Sequence, residues 1–313
     1  MEPNGPLSVK KIITDLGNSN QPLRNSRPVD LSNLNSEELE LFKQMWTNIE
    51  PNRRRQIIYR LVELAEDNFE LSFDSIFQHC LKDQDAEVRS KAIEGLWESE
   101  DTSLVSPFIS LLKQDSSENV QAAAATALGK FAMLAELNKL RPGYTSRVCQ
   151  ALLGVISDKN RLVEVRRRAL EAAAPLNLPQ MEEAVMEAYQ SHNHKLKISA
   201  IYAMGKNCNC SWLPILLEEL TSTDAEIRYE ASGACGELGE EEAVSHLTER
   251  SNDPDVEVQV AALQALGKIG GSEAKEGLQQ CLNNPSEVIR QAAEQALYEL
   301  KIEENPFTFR FDL

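Results

Sequence analysis

The chain has 313 residues, and its 49 acidic residues outnumber its 32 lysines and arginines, which gives a formal net charge of −17. A surface of this sign repels a phosphate backbone on average, so the charge argues against nucleic acid as a partner. Hydrophobic residues make up 42% but aromatic residues only 6%. A core built from Ala, Leu, Val and Ile favours thin layers of closely packed helices.

The chain begins with a segment rich in Pro, Asn, Ser and Gly, which predicts a poorly ordered N-terminal extension over residues 1–34. The start contains no apolar run of the length of a signal peptide, and no later stretch approaches a membrane span. We therefore expect a cytoplasmic protein without a membrane span. A helix is predicted next, because Asn35 can cap it and Glu38 stands at the third helical position of a capping box.

A repeated pattern fills residues 35–300. An Asp-rich turn precedes a branched or Leu anchor, and small residues follow four and seven positions later. The eight anchors are Ile57, Val88, Val120, Val165, Leu196, Ile227, Val258 and Ile289. The last four gaps between them are all 31 residues. Because offsets 0, 4 and 7 share one helical face, and a second apolar segment precedes each anchor, each unit is predicted to be a helical hairpin. One hairpin cannot bury its own apolar faces, so stacked units are expected to share a continuous core.

Two regions depart from this spacing. The gap between Val120 and Val165 is 45 residues, which is 45 − 31 = 14 more than the repeat, and it predicts an insertion near residues 134–147. The insertion is either a contact point or simply a longer loop or helix. Residues 301–313 are interpreted as a C-terminal tail, in which Phe307, Phe309 and Phe311 alternate as in a strand. Such a tail either seals the final repeat or docks on a partner.

The segments DQDAEVRSKAIEGL at 83–96 and DPDVEVQVAALQALG at 253–267 resemble HEAT repeats of the bacterial branch. The resemblance covers roughly residues 36–300 and implies an all-α fold, a right-handed superhelical solenoid of about eight HEAT-type helical hairpins. It also implies a structural Asp–Arg ladder between repeats. The basic residues of this ladder follow the anchors and are Arg89, Arg166, Lys197, Arg228 and Arg290. Short repeats of this sort are also similar to those of phycobilin lyases, which attach or detach bilin chromophores.

The residues at offsets 2, 6 and 9 point away from the small-residue stripe, and we expect them to face a concave groove. They include Tyr59, Glu63, Glu94, Trp97, Glu171, Tyr202 and Tyr229. Aromatic rings on an acidic wall would fit a protein or peptide partner with a basic segment, whereas the alternative is an ordinary solvated face. Trp97 departs most from the pattern, because Gly129, Gly205, Gly236 and Gly267 occupy its position in other repeats.

No catalytic constellation is found in the sequence. His192, His194, Cys208 and Cys210 have side chains that bind zinc, but the helix predicted between the two pairs would hold them on the order of 15 Å apart. No Gly-rich phosphate loop or nucleophile elbow occurs either. We therefore predict no catalytic residues, no metal, no cofactor and no enzyme activity. The expected function is a scaffold or adaptor that binds a protein through the groove, and the alternative is a phycobilin-lyase-like chromophore carrier or lyase subunit.

Overall fold

The computed structural model describes residues 6–19, 22–23 and 28–304. Within these residues the chain forms seventeen α-helices and no β-strand. None of the described helices combines the length and the apolar character that crossing a bilayer requires. The chain divides into two compact units, Met1–Ala172 and Ala173–Leu313.

The helices follow one another as eight hairpins, preceded by one additional helix. That helix is α1 (Pro6–Gly17). The next four hairpins are α2 (Ser36–Trp46) with α3 (Pro51–Asp67), α4 (Asp74–Cys80) with α5 (Ala86–Gly95), α6 (Val105–Gln114) with α7 (Glu118–Glu136), and α8 (Pro142–Ser157) with α9 (Val163–Ala173). The other four are α10 (Pro179–Tyr189) with α11 (His194–Lys206), α12 (Leu213–Glu219) with α13 (Ala225–Leu238), α14 (Ala243–Arg250) with α15 (Val256–Ile269), and α16 (Gly271–Cys281) with α17 (Glu287–Glu304). The predicted all-α array of about eight hairpins is confirmed.

Within each of the two units, the small-residue stripe packs successive hairpins onto one another, as the repeat pattern predicts. All eight anchors are buried, and every residue four positions after an anchor is fully buried. The second helices of successive hairpins contact each other: α3, α5 and α7 in the first unit, and α11, α13, α15 and α17 in the second. A Cβ added at Gly205 or Gly236 would lie 2.7 Å from a Cα atom of the next second helix. Glycine therefore sets how closely these helices approach one another.

The structure differs from the expectation of a poorly ordered extension over residues 1–34. Helix α1 packs against α2 and α3, and its side chains Val9, Ile13 and Leu16 are buried. A short 3₁₀ helix at Pro28–Leu31 also contacts α1 and α3. The apolar spacing of 4 and 3 residues places one face of α1 on the otherwise open end of the first hairpin. The polar composition of the segment concealed this local amphipathic pattern.

The capping box at the start of α2 is confirmed. The side-chain oxygen of Asn35 accepts hydrogen bonds from the backbone N–H groups of Glu37 and Glu38. In return, a carboxylate oxygen of Glu38 accepts from the backbone N–H of Asn35 at 3.0 Å. These bonds satisfy N–H groups that have no partner within the helix.

The insertion lengthens the second helix of the third hairpin and the first helix of the fourth hairpin. Helix α7 has 19 residues and α8 has 16, and both are longer than the corresponding helices of the neighbouring hairpins. Leu140, within the insertion, and Phe131, just before it, are buried, so this part of the chain contributes to the core. The predicted tail begins inside a helix, because α17 continues to Glu304. Phe307, Phe309 and Phe311 lie outside the described residues.

Three of the five basic residues of the predicted ladder form ion pairs with the next repeat. Arg89 reaches Asp115, Arg228 reaches Asp253 and Lys197 reaches Glu219, each at 2.7 Å and each in the following hairpin. The structure differs from the predicted ladder at the other two residues. Arg166 donates to the carbonyl of Ile156, and Arg290 donates to the carbonyl of Asn284, both within their own hairpins.

Candidate functional site

A cavity of about 720 Å³ opens on the exposed face of the second helices in the first unit. Helices α5, α7 and α9, together with the turn after α5, supply all of its lining. The lining residues are Ser90, Ile93, Glu94, Trp97, Asn119, Ala122, Ala123, Thr126, Ala127, Lys130, Glu164 and Arg168. Small side chains on α7 form its apolar floor.

The cavity exists because α5 ends early. Where other repeats place a glycine in close helix contact, this repeat has Trp97, whose side chain cannot fit between stacked helices. Helix α5 ends at Gly95 after only 10 residues, and the chain turns there, with the N–H of Trp97 donating to the carbonyl of Glu94. The Trp97 side chain is 60% exposed. Ala127 on α7 therefore stays partly uncovered, although the equivalent Ala203 and Ala234 are buried.

Charged side chains surround this apolar floor. Glu94 pairs with Lys91 at 2.6 Å, and Arg168 pairs with Glu164 at 3.0 Å. The ammonium group of Lys130 donates to the carbonyl of Glu98, which ties α7 to the turn that carries Trp97. Burial raises the pKa of the Glu164 carboxyl, but its arginine neighbours outweigh this effect and hold the pKa below its ordinary value. Glu164 is therefore ionised at neutral pH.

A second, more polar cavity of about 490 Å³ adjoins the first one. It is lined by Arg55, Tyr59, Asp85, Ala86, Glu87, Ser90, Lys91, Glu94, Ser117 and Asn119. The two cavities share Ser90, Glu94 and Asn119. They form one continuous depression across α3, α5, α7 and α9, which we call the second-helix groove.

Tyr59 lies on the wall of this groove beside a cation. The ammonium nitrogen of Lys91 stands 4.8 Å from the centroid of its ring, within the range of a cation–π contact. Burial, and then the neighbouring Glu87 carboxylate, raise the pKa of the Tyr59 hydroxyl, so this group is neutral at physiological pH. Arg55 holds the carboxylate of Asp85 at 2.8 Å and that of Glu87 at 3.2 Å. The charges at this end of the groove are thus already paired within the protein.

Three of the seven predicted groove residues line the second-helix groove: Tyr59, Glu94 and Trp97. Glu171 lies just outside the lining and binds Arg168, while Glu63 pairs with Arg60. The remaining two predicted residues are Tyr202 and Tyr229, on α11 and α13 of the second unit. Neither of them lines the two cavities. The offset rule identified the exposed face of each helix, but it could not identify the repeat at which that face becomes hollow.

The residues that sequence reasoning missed are the small ones on α7. Ala122, Ala123 and Ala127 form the floor, and Asn119 joins the two cavities. The sequence did contain a signal for this floor. Residues 122–125 are four consecutive alanines, and the packing of α7 in the core uses only two of them. Of these four, Ala124 and Ala125 are buried, whereas the other two face the cavity.

The histidine and cysteine pairs considered for zinc have separate neighbours. The imidazole of His194 lies 2.7 Å from the Asp224 carboxylate, and the thiol of Cys210 lies 2.6 Å from that of Glu240. Within the part of the chain that the structure describes, no group of three His, Cys, Asp or Glu side chains is arranged to hold a metal ion.

Comparison with known proteins identifies the repeats. A family model described as HEAT repeats matches residues 73–163 and 213–298, which together make up more than half of the chain. No curated protein matches the chain significantly.

Solved structures similar to this chain are also built from helical repeats. Yeast importin-beta is 13% identical, with a TM-score of 0.57, and the match covers 93% of this chain and 46% of that one. The same yeast importin-beta, Kap95p, in a structure with RanGDP is 15% identical, with a TM-score of 0.53, over 93% of this chain and 45% of the other. YibA of Escherichia coli is 16% identical, with a TM-score of 0.47, over 78% of this chain and 96% of YibA. The chain spans about half the length of yeast importin-beta, and identities this low show a shared fold alone.

Proposed function

Because the chain belongs to the HEAT-repeat family, we propose that it is a non-catalytic scaffold or adaptor that binds a segment of a protein partner in the second-helix groove. One observation carries this proposal. Other repeats of this chain have a glycine where their second helices stack closely, whereas this repeat has Trp97 at the equivalent position and an apolar hollow beside the exposed indole ring.

The energetics of Trp97 favour a partner-binding role. Exposed large aromatic residues beside a hollow are typical of binding hot spots, where one anchor supplies much of the affinity. Covering most of the exposed ring would contribute roughly 2–3 kcal/mol. Ala122, Ala123 and Ala127 beneath it leave room for an apolar side chain of the partner.

The similar solved structures support a protein partner over other classes. Kap95p binds RanGDP, a protein, according to the description of that structure. The net charge of −17 supports the same choice, since it disfavours nucleic acid. The cytoplasmic location remains a prediction from composition.

Affinity capture from a lysate of the source organism would test the proposal with matched variants. Trp97→Ala removes the exposed ring, and Thr126→Trp fills the cavity from an exposed position on α7. Phe69→Ala is the control, because Phe69 is an exposed aromatic residue of the same unit that lines neither cavity. We expect a partner that both groove variants lose and the control retains. Equal capture by all four proteins would exclude the second-helix groove as the binding site.

The chromophore-carrier alternative stays in consideration for one reason. A volume of about 720 Å³ lies within the usual range for small-molecule pockets. The test is the absorbance spectrum of a bilin mixed with the protein at micromolar concentration. A spectral shift that Thr126→Trp abolishes would favour this reading, and an unchanged spectrum would exclude it.

A further inference from the structure

The two ends of the second-helix groove present opposite charges. At the end formed by α3 and α5, the cavity lining holds three carboxylates, Asp85, Glu87 and Glu94, against two cations, Arg55 and Lys91. The Glu94 side chain is 51% exposed against 16% for Lys91. The Glu87 side chain is 45% exposed against 40% for its partner Arg55, which also binds the more buried Asp85. An approaching molecule therefore meets the carboxylates first, although each has a cation nearby.

The end formed by α9 shows the reverse order. The Arg168 side chain is 41% exposed, whereas its two carboxylate partners Glu164 and Glu171 are 33% and 17% exposed. Both carboxylates also bind Arg167, so their negative charge is shared between two guanidinium groups. Lys130 adds a further cation to the cavity lining between α9 and Trp97. This end therefore presents positive charge.

We propose that the groove binds an extended protein segment of mixed charge, with a basic side chain over the α3–α5 end, a large apolar side chain at Trp97 and an acidic side chain over Arg168. This inference rests on the proposed function and specifies its partner. Second helices that pack roughly 10 Å apart place Glu94 on α5 and Arg168 on α9 roughly 20 Å from each other. An extended chain covers that span in about six residues, which sets the spacing between the basic and acidic side chains of the partner.

Three synthetic peptides of about nine residues test the charge order. The first carries lysines at one end and aspartates at the other, the second carries lysines at both ends, and the third carries aspartates at both ends. Each has Leu, Phe, Tyr and Met mixed at the central position, so that the result does not depend on one apolar side chain. Isothermal calorimetry measures affinity. Intrinsic fluorescence reports on the site, because Trp97 is exposed whereas Trp46 and Trp212 are buried.

Charge-reversal variants make the test specific to the two ends. Arg168→Glu should shift preference toward the peptide with two basic ends, and Glu94→Lys should shift it toward the peptide with two acidic ends. Each reversed contact should change affinity by about fivefold, as expected for an exposed ion pair. Lys139→Glu and Glu70→Lys reverse exposed charges of the same unit outside both cavities and should change nothing. The preferences should also weaken at high salt.

The possible failures are distinguishable. If all three peptides bind equally and Trp97→Ala abolishes binding, the charge order is refuted while the groove remains the binding site. If the peptides bind equally to wild type and Trp97→Ala, both the inference and the proposed function fail. Absence of binding by any peptide at millimolar concentration also overturns the inference, whereas lysate capture then decides the proposed function separately.

Discussion

Gly236 and Gly233 lie on the same helix, α13, but only Gly236 faces the next second helix. A Cβ at Gly236 would lie 2.7 Å from the Cα and 2.8 Å from the Cβ of Ala265, and the Cα is backbone and cannot rotate away. A Cβ at Gly233 would meet no atom within 4 Å. Substituting alanine at each position therefore separates the helix propensity of alanine from the overlap between helices.

The propensity gain is the same at both positions and is about 1 kcal/mol in favour of alanine. The overlap occurs only at Gly236, where forcing α13 and α15 apart should cost about 1–3 kcal/mol. The two variants should therefore differ by that amount, with Gly233→Ala more stable than wild type. For a slope of about 2–3 kcal/mol per molar urea, the unfolding midpoints should differ by roughly 0.3–1.5 M.

Urea denaturation followed by circular dichroism measures this difference, with hydrogen exchange on α13 and α15 to locate the change. The local measurement is needed because repeat arrays can unfold in parts. Equal midpoints for the two variants would refute the argument that glycine sets the helix spacing. A decrease at Gly233 as large as that at Gly236 would refute it as well.

Three further predictions concern stability. Asp253→Ala leaves the buried guanidinium of Arg228 without its carboxylate and should lower the free energy of unfolding by about 3–5 kcal/mol, measured by urea denaturation, whereas replacing both residues by apolar ones should cost much less. Burial raises the pKa of Asp253, but Arg228 outweighs this effect and the pKa lies below its ordinary value. The stability that this pair contributes should therefore be complete above about pH 4 and decline as the pH falls through the lowered pKa, so an acid titration of the wild type should be steeper than that of the apolar double variant. Asn35→Ala removes the capping box and should cost about 1 kcal/mol with faster hydrogen exchange at the start of α2, and unchanged exchange there would contradict it.

The fold could be predicted because its signal is local and repeated. An anchor and a small residue four positions later define a helical stripe within one turn of sequence, and eight copies reinforce one another. The anchors Ile57 and Val258 are both buried at equivalent positions, although the rest of their repeats differs in sequence. The start of the chain was harder to interpret, because it is rich in polar residues and its apolar helix face, formed by Val9, Ile13 and Leu16, occurs only once.

The candidate site was only partly predictable because it depends on where a helix ends. The sequence showed that Trp97 occupies a position where other repeats have glycine, but it did not show that α5 would end at Gly95. The cavity floor lies on another helix, α7, and becomes accessible only after α5 has ended. The position of a residue along α7 does not show whether the neighbouring helix α5 is long enough to cover it. Tyr202 and Tyr229 satisfied the same offset rule and yet line neither cavity.

Trp97 therefore combines two effects that a packing residue would not combine. If the residue served packing, its ring would be buried like that of Trp46, which stacks on Phe42 and donates to Asp83. Instead its presence shortens α5, uncovers Ala127 and leaves the indole ring in solvent. Both changes remove apolar surface from the core and are unfavourable to an isolated chain. A partner side chain that occupies the cavity and covers the ring would recover both contributions at once, which favours this repeat as a binding site.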